Sequence, residues 1–168
     1  PCARVTGGRI CVDMGEPKRE WHDIPLAHAM DTDQIRLSST DMCGVAVNMG
    51  NPHAVFFVDD LDAVDAVTLG PSMESDPVFP QRANIEYVQI INRRHIRMRV
   101  WERGAGITLA CGSGACAAAV AAIRRDAVDR KMTVSMPGGD LVLEWNAADN
   151  HVYMTGPVTY VFRGEWLV

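Results

Sequence analysis

The run "ACAAAVAAI" at residues 115–123 constrains the fold more than any other stretch of this chain. Alanine is the strongest helix former, so the spacing predicts a helix over about 112–126. Its side chains are small on every face, so other elements can approach closely and the helix can sit inside a sheet layer. The charged residues Asp126, Asp129, Arg130 and Lys131 mark its exit. Its entry is the stretch "ERGAGITLACGSGACA" at 102–117, which places Cys111 between a Leu-Ala pair and a Gly-Ser-Gly turn, where the helix should begin.

Strand patterns surround this helix. "GRICVDM" at 8–14 and "VAVNM" at 45–49 read as strands, and "AVFFV" at 54–58 is a continuous apolar run of the kind covered on both faces. Pro52 restrains Asn51 to an extended or turn shape between the last two. Residues 61–75 can carry a short helix, interrupted near Gly70-Pro71, and "DPVFPQRAN" at 76–84 is a loop. Residues 85–92 and 95–101 are strands. In the second, Ile96, Met98 and Val100 alternate with Arg97 and Arg99, which is period two with one wet face. "TVSM", "DLVLEW", "HVYMT" and "VTYVF" follow as further strands, with a tight turn at Pro137-Gly138-Gly139. The fold class is α+β: a mostly antiparallel sheet wrapped around one central helix.

Bulk properties exclude several functions. A chain of 168 residues, 48% hydrophobic and 22% charged, can bury a core of its own. Its net charge of -5 argues against a general nucleic-acid binder, which wants a basic surface. No apolar run approaches the roughly 18 residues of a membrane span, and no charged-then-apolar opening reads as a secretory signal. The five cysteines, Cys2, Cys11, Cys43, Cys111 and Cys116, have no framework spacing and read as reduced thiols of a cytoplasmic protein. No metal site is expected: Cys111 and Cys116 are turned about 140° apart on a helix, and no histidine forms a ligand-spaced pair with them.

The glycine turn suggests chemistry. A helix N-terminus carries unpaired N–H groups and partial positive charge. Gly112 and Ser113 would present such groups to a carboxylate or phosphate. The same field favours thiolate over thiol at Cys111, and cysteines so placed have pKa values lowered from about 8.5 to about 3.5–7.5. A reactive thiol beside a carboxylate cradle suits removal of a proton from a carbon next to a carboxylate. The plainer reading is that the small residues only pack, with Cys111 a buried hydrophobe. Without Gly-Lys-Ser/Thr this is no nucleotide P-loop, and Gly-Ser-Gly is a poor hydrolase elbow. A Cys–His hydrolase using Cys111 and His53 is compatible with the spacing, though it lacks an identified third group.

Five segments together resemble the diaminopimelate epimerases: "MGNPH" at 49–53, "FPQRAN" at 79–84, "ERGAGITLACGSGACA" at 102–117, "MPGGDL" at 136–141 and "MTGPV" at 154–158. They stand in the family's order. The resemblance implies one of two similar halves of a cofactor-independent isomerase of lysine biosynthesis, which interconverts LL- and meso-diaminopimelate with two cysteines, one on each face of the α-carbon. It implies that Cys111 is the second catalytic cysteine. Gly112 and Ser113 would be backbone donors to the substrate head, and Glu102 and Arg103 substrate-binding residues, with Glu102 also near the reacting centre. Asn51 and Asn84 would contact the substrate's polar ends, and His53 would stand beside the catalytic centre. Each has a plainer alternative: a turn residue at Asn51, a core histidine at His53, a cap at Asn84, a solvated strand end at Glu102 and Arg103.

The sequence also departs from the family. The first catalytic cysteine should lie in a Cys-Gly-Asn-Gly-type turn, which is absent. "MCGV" at 42–45 is a decoy, since Val45 and Ala46 replace the Asn-Gly. Ile107 stands where the family usually carries an acid, and Ala54 where it often has cysteine. The expectation is therefore a C-terminal portion: a domain over 12–156, with 1–11 and 157–168 as flanks belonging to or connecting with the missing N-terminal domain. That domain is the expected partner, and homodimerisation is left open. The isolated chain is expected to be inactive. The runners-up are a proline racemase-like enzyme of the same fold and a non-catalytic amino-acid-binding domain.

Overall fold

The computed structural model describes residues 2–5 and 8–166. In chain order these form β1 (Cys2–Val5), β2 (Arg9–Asp13), β3 (Ile35–Arg36), β4 (Cys43–Asn48), β5 (Pro52–Phe57), α1 (Ala66–Glu74), β6 (Asn84–Asn92), β7 (His95–Glu102), β8 (Gly106–Thr108), α2 (Gly112–Arg124), β9 (Lys131–Met136), β10 (Gly139–Trp145) and β11 (Val152–Pro157). The described strands make one 11-stranded sheet in the order β1-β2-β11-β10-β9-β7-β6-β5-β4-β3, with β8 added on β7. Pairing is antiparallel except for β5 with β6 and β7 with β9. The expected boundary at residue 12 falls inside β2, which pairs with β11 and so continues the sheet.

The sheet separates two cores. On one face Val45, Val47, Val55, Val88, Ile96, Met98 and Val100 pack against the alanines of α2. On the other, Ala46, Ala54, Phe56, Ile85 and Tyr87 pack with Met73 of α1 and with Ile24, Ile35 and Phe79. Period-two alternation sends odd and even residues of β4, β5 and β6 to opposite faces. Both faces are covered, which is why these strands read as near-continuous apolar runs. The run of residues from Ala115 to Ala122 in α2 is buried throughout, as its lack of large side chains requires.

Two expectations change. The helix near 61–75 runs unbroken through Pro71. The N–H that proline lacks would have bonded the carbonyl of Val67, an exposed residue of the first turn, so solvent can take its place. Gly70 is there for contact: a Cβ on it would run into the Trp101 ring. "VTYVF" at 158–162 is not a strand. Tyr160, Val161 and Phe162 are exposed, and the segment pairs with no described strand; strand composition without a partner strand does not hold a strand.

Candidate active site

Two structural devices bring the site together. The first is the parallel pair β5–β6, whose register sets His53 opposite Asn84 and Val55 opposite Glu86. His53 and Glu86 are thus diagonal neighbours on the face that carries α2. The second is β7, which pairs with β9 over His95–Arg97 and with β8 over Val100–Glu102. The β7–β8 hairpin then leads directly into Cys111 at the start of α2.

Cys111 is the N-cap of α2, with extended backbone, φ -141° and ψ 111°. Its Sγ accepts from the N–H of Gly114 at 3.4 Å and lies 3.6 Å from Ser113 Oγ. The first-turn N–H groups of Gly112 and Ser113 have no intrahelical acceptor. The surroundings of Cys111 run against an acidic thiol. Burial pushes the Cys111 pKa up, and the carboxyls of Glu86 and Glu102 push the same way. The contacts with Ser113 and Gly114 pull it down without winning. Cys116, deeper in the same helix, is pushed up to about 12 by burial.

Behind Cys111 runs a buried polar chain. Asn51 Oδ1 lies 2.9 Å from His53 Nε2, and His53 Nδ1 lies 2.7 Å from Glu86 Oε1. His53 and Glu86 are both 0% exposed. Glu86 Oε2 is buried and meets no hydrogen-bond partner among the described residues. Burial raises the Glu86 pKa, opposed by His53. Gly114 makes room for this arrangement: a Cβ there would sit 2.9 Å from Glu86 Oε1 and 3.2 Å from Cys111 Sγ.

Each residue expected from the sequence has a definite place. Asn51, His53 and Cys111 are brought to one site. Glu102 ends β7, accepts a hydrogen bond from the Thr108 hydroxyl and acts electrostatically on Cys111. Asn84 is buried and clamps the backbone: its Nδ2 donates to the Pro52 carbonyl at 3.0 Å and its Oδ1 accepts from the Arg103 N–H at 2.9 Å. It therefore ties the Asn51–His53 turn to the Glu102–Arg103 strand end. The Arg103 guanidinium donates to the Gln81 carbonyl at 3.0 Å. Cys43 begins β4. Glu86 was missed. Its signal was present, as a lone acid between Ile85 and Tyr87 in an apolar strand.

A separate cleft of about 570 Å³ lies at the other end of α2, lined in part by Arg19, Arg124, Arg130 and Trp145. Arg124 is engaged there by Asp33, the Ala46 carbonyl and Thr32. This cleft does not include Cys111.

The family model described as diaminopimelate epimerase matches residues 45–161, which contain the whole Asn51–Cys111 site. The chain belongs to the diaminopimelate epimerase family. Curated relatives named diaminopimelate epimerase include those of Zymomonas mobilis, 52% identical over 97% of this chain and 61% of its own length, and Moorella thermoacetica, 49% identical over 96% and 60%. That of Rhodospirillum centenum is 53% identical over 98% of this chain and 56% of its own length. The chain thus spans roughly three fifths of the diaminopimelate epimerases it matches. Solved structures share the fold. One described as a predicted epimerase from Pseudomonas aeruginosa gives a TM-score of 0.61 at 18% identity, covering 99% of this chain and 62% of its own. One described as a probable proline racemase from Agrobacterium radiobacter gives 0.60 at 11%, covering 93% and 53%.

Proposed function

We propose that this chain is the part of a diaminopimelate epimerase that carries one of its two acid/base thiols, Cys111. The observation that carries the reading is the position of Cys111 at the N-cap of α2, inside the stretch that matches the family. The substrate is LL- or meso-diaminopimelate. Its α-carboxylate rests on the free N–H groups of Gly112 and Ser113, where the helix field favours an anion. Glu102, Arg103 and Asn51 hold its polar groups, and His53 stands beside the reacting carbon. Asn84 acts first as the clamp described above, leaving one amide N–H for a ligand.

The raised pKa of Cys111 suits one of the two roles. A thiol that keeps its proton near neutral pH can deliver it to one face of the α-carbon, while a thiolate on the other face takes the original proton. Charge and atoms balance: one S–H breaks as one C–H forms, and the reverse occurs opposite. The contacts to Sγ from Gly114 and Ser113 stabilise the thiolate left behind. No pyridoxal-type cofactor is invoked, so the transient carbanion depends on placed donors in a closed site.

The second thiol is proposed to come from a domain outside these residues. Among the described cysteines, Cys116 is buried within α2, and Cys11 and Cys43 stand on strands. Exposed Ile107 and Leu109 beside the site, and exposed Tyr160, Phe162 and Trp166, offer apolar surface for that domain to cover. The described free thiols suit a reducing, cytoplasmic location.

The test is deuterium uptake at the α-carbon in heavy water by the parent protein, with diaminopimelate and proline side by side. Uptake into diaminopimelate alone, lost in Cys111→Ala, supports the reading. Uptake into proline favours a racemase. No uptake from folded, reduced protein overturns the enzymatic reading.

A further inference from the structure

Glu86 is an acid sunk in the sheet beneath Cys111, and its protons can be counted from its neighbours. Asn51 Oδ1 faces His53 Nε2 at 2.9 Å, and since an amide oxygen only accepts, this contact is a hydrogen bond when Nε2 carries a proton. His53 Nδ1 and Glu86 Oε1 are 2.7 Å apart, and a bond that short needs one proton between them. Whether that proton is drawn on nitrogen or oxygen, the pair has no net charge. The arrangement that fails is an ionised Glu86 facing a neutral imidazole protonated only on Nδ1, because it sets the Nε2 lone pair against Asn51 Oδ1. Burial points the same way. Glu86 Oε2 is enclosed without a hydrogen-bond partner among the described residues, and an ionised oxygen left bare costs far more than a carbonyl oxygen.

We propose that Glu86 is a positioning residue of the Cys111 site: it shares one proton with His53 as a buried, net-neutral pair that fixes the imidazole and keeps the floor under Cys111 uncharged. The floor matters because the place of a Cβ on Gly114 lies within 2.9 Å of Glu86 Oε1 and 3.2 Å of Cys111 Sγ. An ionised Glu86 would oppose every thiolate formed there. The groups that act on Cys111 are Glu86 from β6, Glu102 from β7, and Ser113 and Cys116 from α2, with His53 of β5 bonded behind Glu86. Of the two carboxyls near Cys111, Glu86 is tied to the His53 imidazole and Glu102 to the Thr108 hydroxyl. The functional meaning rests on the epimerase reading, but the proton count does not.

The experiment uses the 168-residue chain and needs no turnover. Nitrogen NMR of the His53 ring reports which nitrogens carry protons, and mass spectrometry of the Cys111 peptide follows alkylation by iodoacetamide against pH. The native chain is expected to show a protonated Nε2 and a single thiol step. In Glu86→Ala the imidazole loses its partner and the floor its carboxyl, so the alkylation profile should depart from the single step, with alkylation near pH 5.5 about tenfold faster. Glu86→Gln should restore the single step, because its amide N–H replaces the shared proton. An unprotonated Nε2 in the native chain overturns the proposal. So does a second step in Glu86→Gln, or an unaltered profile in Glu86→Ala. Should the alanine variant not fold, the ring signals and Glu86→Gln decide. Failure of the epimerase reading would appear separately, as absent deuterium uptake.

Discussion

His53 Nδ1 lies 2.7 Å from Glu86 Oε1, and both side chains are fully buried. The two residues are 33 apart in sequence and meet only because β5 and β6 pair in parallel. Removing one partner leaves the other enclosed without a bond. His53→Ala should therefore cost about 3 kcal/mol in urea unfolding. The double variant His53→Leu, Glu86→Leu should cost clearly less than the two single changes added together, since it leaves no orphaned polar group. Additive costs would show that the pair is not coupled.

Cys111 should alkylate slowly at neutral pH. Its pKa is raised, so its thiolate appears above the range of an ordinary thiol near about 8.5. The rate should still be climbing at pH 9, and Cys116, pushed up to about 12, should trail far behind. A Cys111 profile that levels off below pH 7.5 would restore the acidic-thiol expectation.

Gly114→Ala sets two effects against each other. Alanine favours a helix by about 1 kcal/mol over glycine. The new Cβ, however, would sit 2.9 Å from a Glu86 oxygen that His53 holds in place. That atom cannot swing away, so overpacking should win. A net loss of about 1 kcal/mol is expected, with slower alkylation of Cys111. A stabilised variant would mean that Glu86 is free to move.

The β2–β11 seam should depend on pH. His151 Nδ1 lies 2.9 Å from both carboxylate oxygens of Asp13. That hydrogen bond is the main reason the His151 pKa is raised. Asp13 is lowered, first by the N–H of Gly15 and then by His151. The His151 contribution is thus full below the ordinary histidine value and fades as pH rises through the raised one. The Asp13 contribution is full above the ordinary aspartate value and fades as pH falls through the lowered one. Amide exchange along Arg9–Asp13, corrected for intrinsic rates, should be better protected near pH 6 than near pH 9, and His151→Gln should flatten that difference.

Much of the fold was legible because local pattern and final environment agree. The alternation of Ile96, Met98 and Val100 with Arg97 and Arg99 survives in β7, where one face meets α2. The alanine run became the buried helix. Where the environment overrode the pattern, the reading failed. Residues 158–162 have strand composition but pair with no described strand. Pro71 has the form of a helix breaker and sits where its lost bond falls on an exposed turn.

The sequence by itself determined the helix, the cysteine at its start and the family, since each rests on residues adjacent in the chain. Only the tertiary structure decided what surrounds that cysteine. The register of β5 on β6 brings Glu86 and His53 under Gly114, and the end of β7 brings Glu102. The helix field on Cys111 is local and could be read from the sequence. Burial and the nearby carboxyls come from elements distant in the chain, and burial is the first cause of a raised Cys111 pKa where a lowered one was expected.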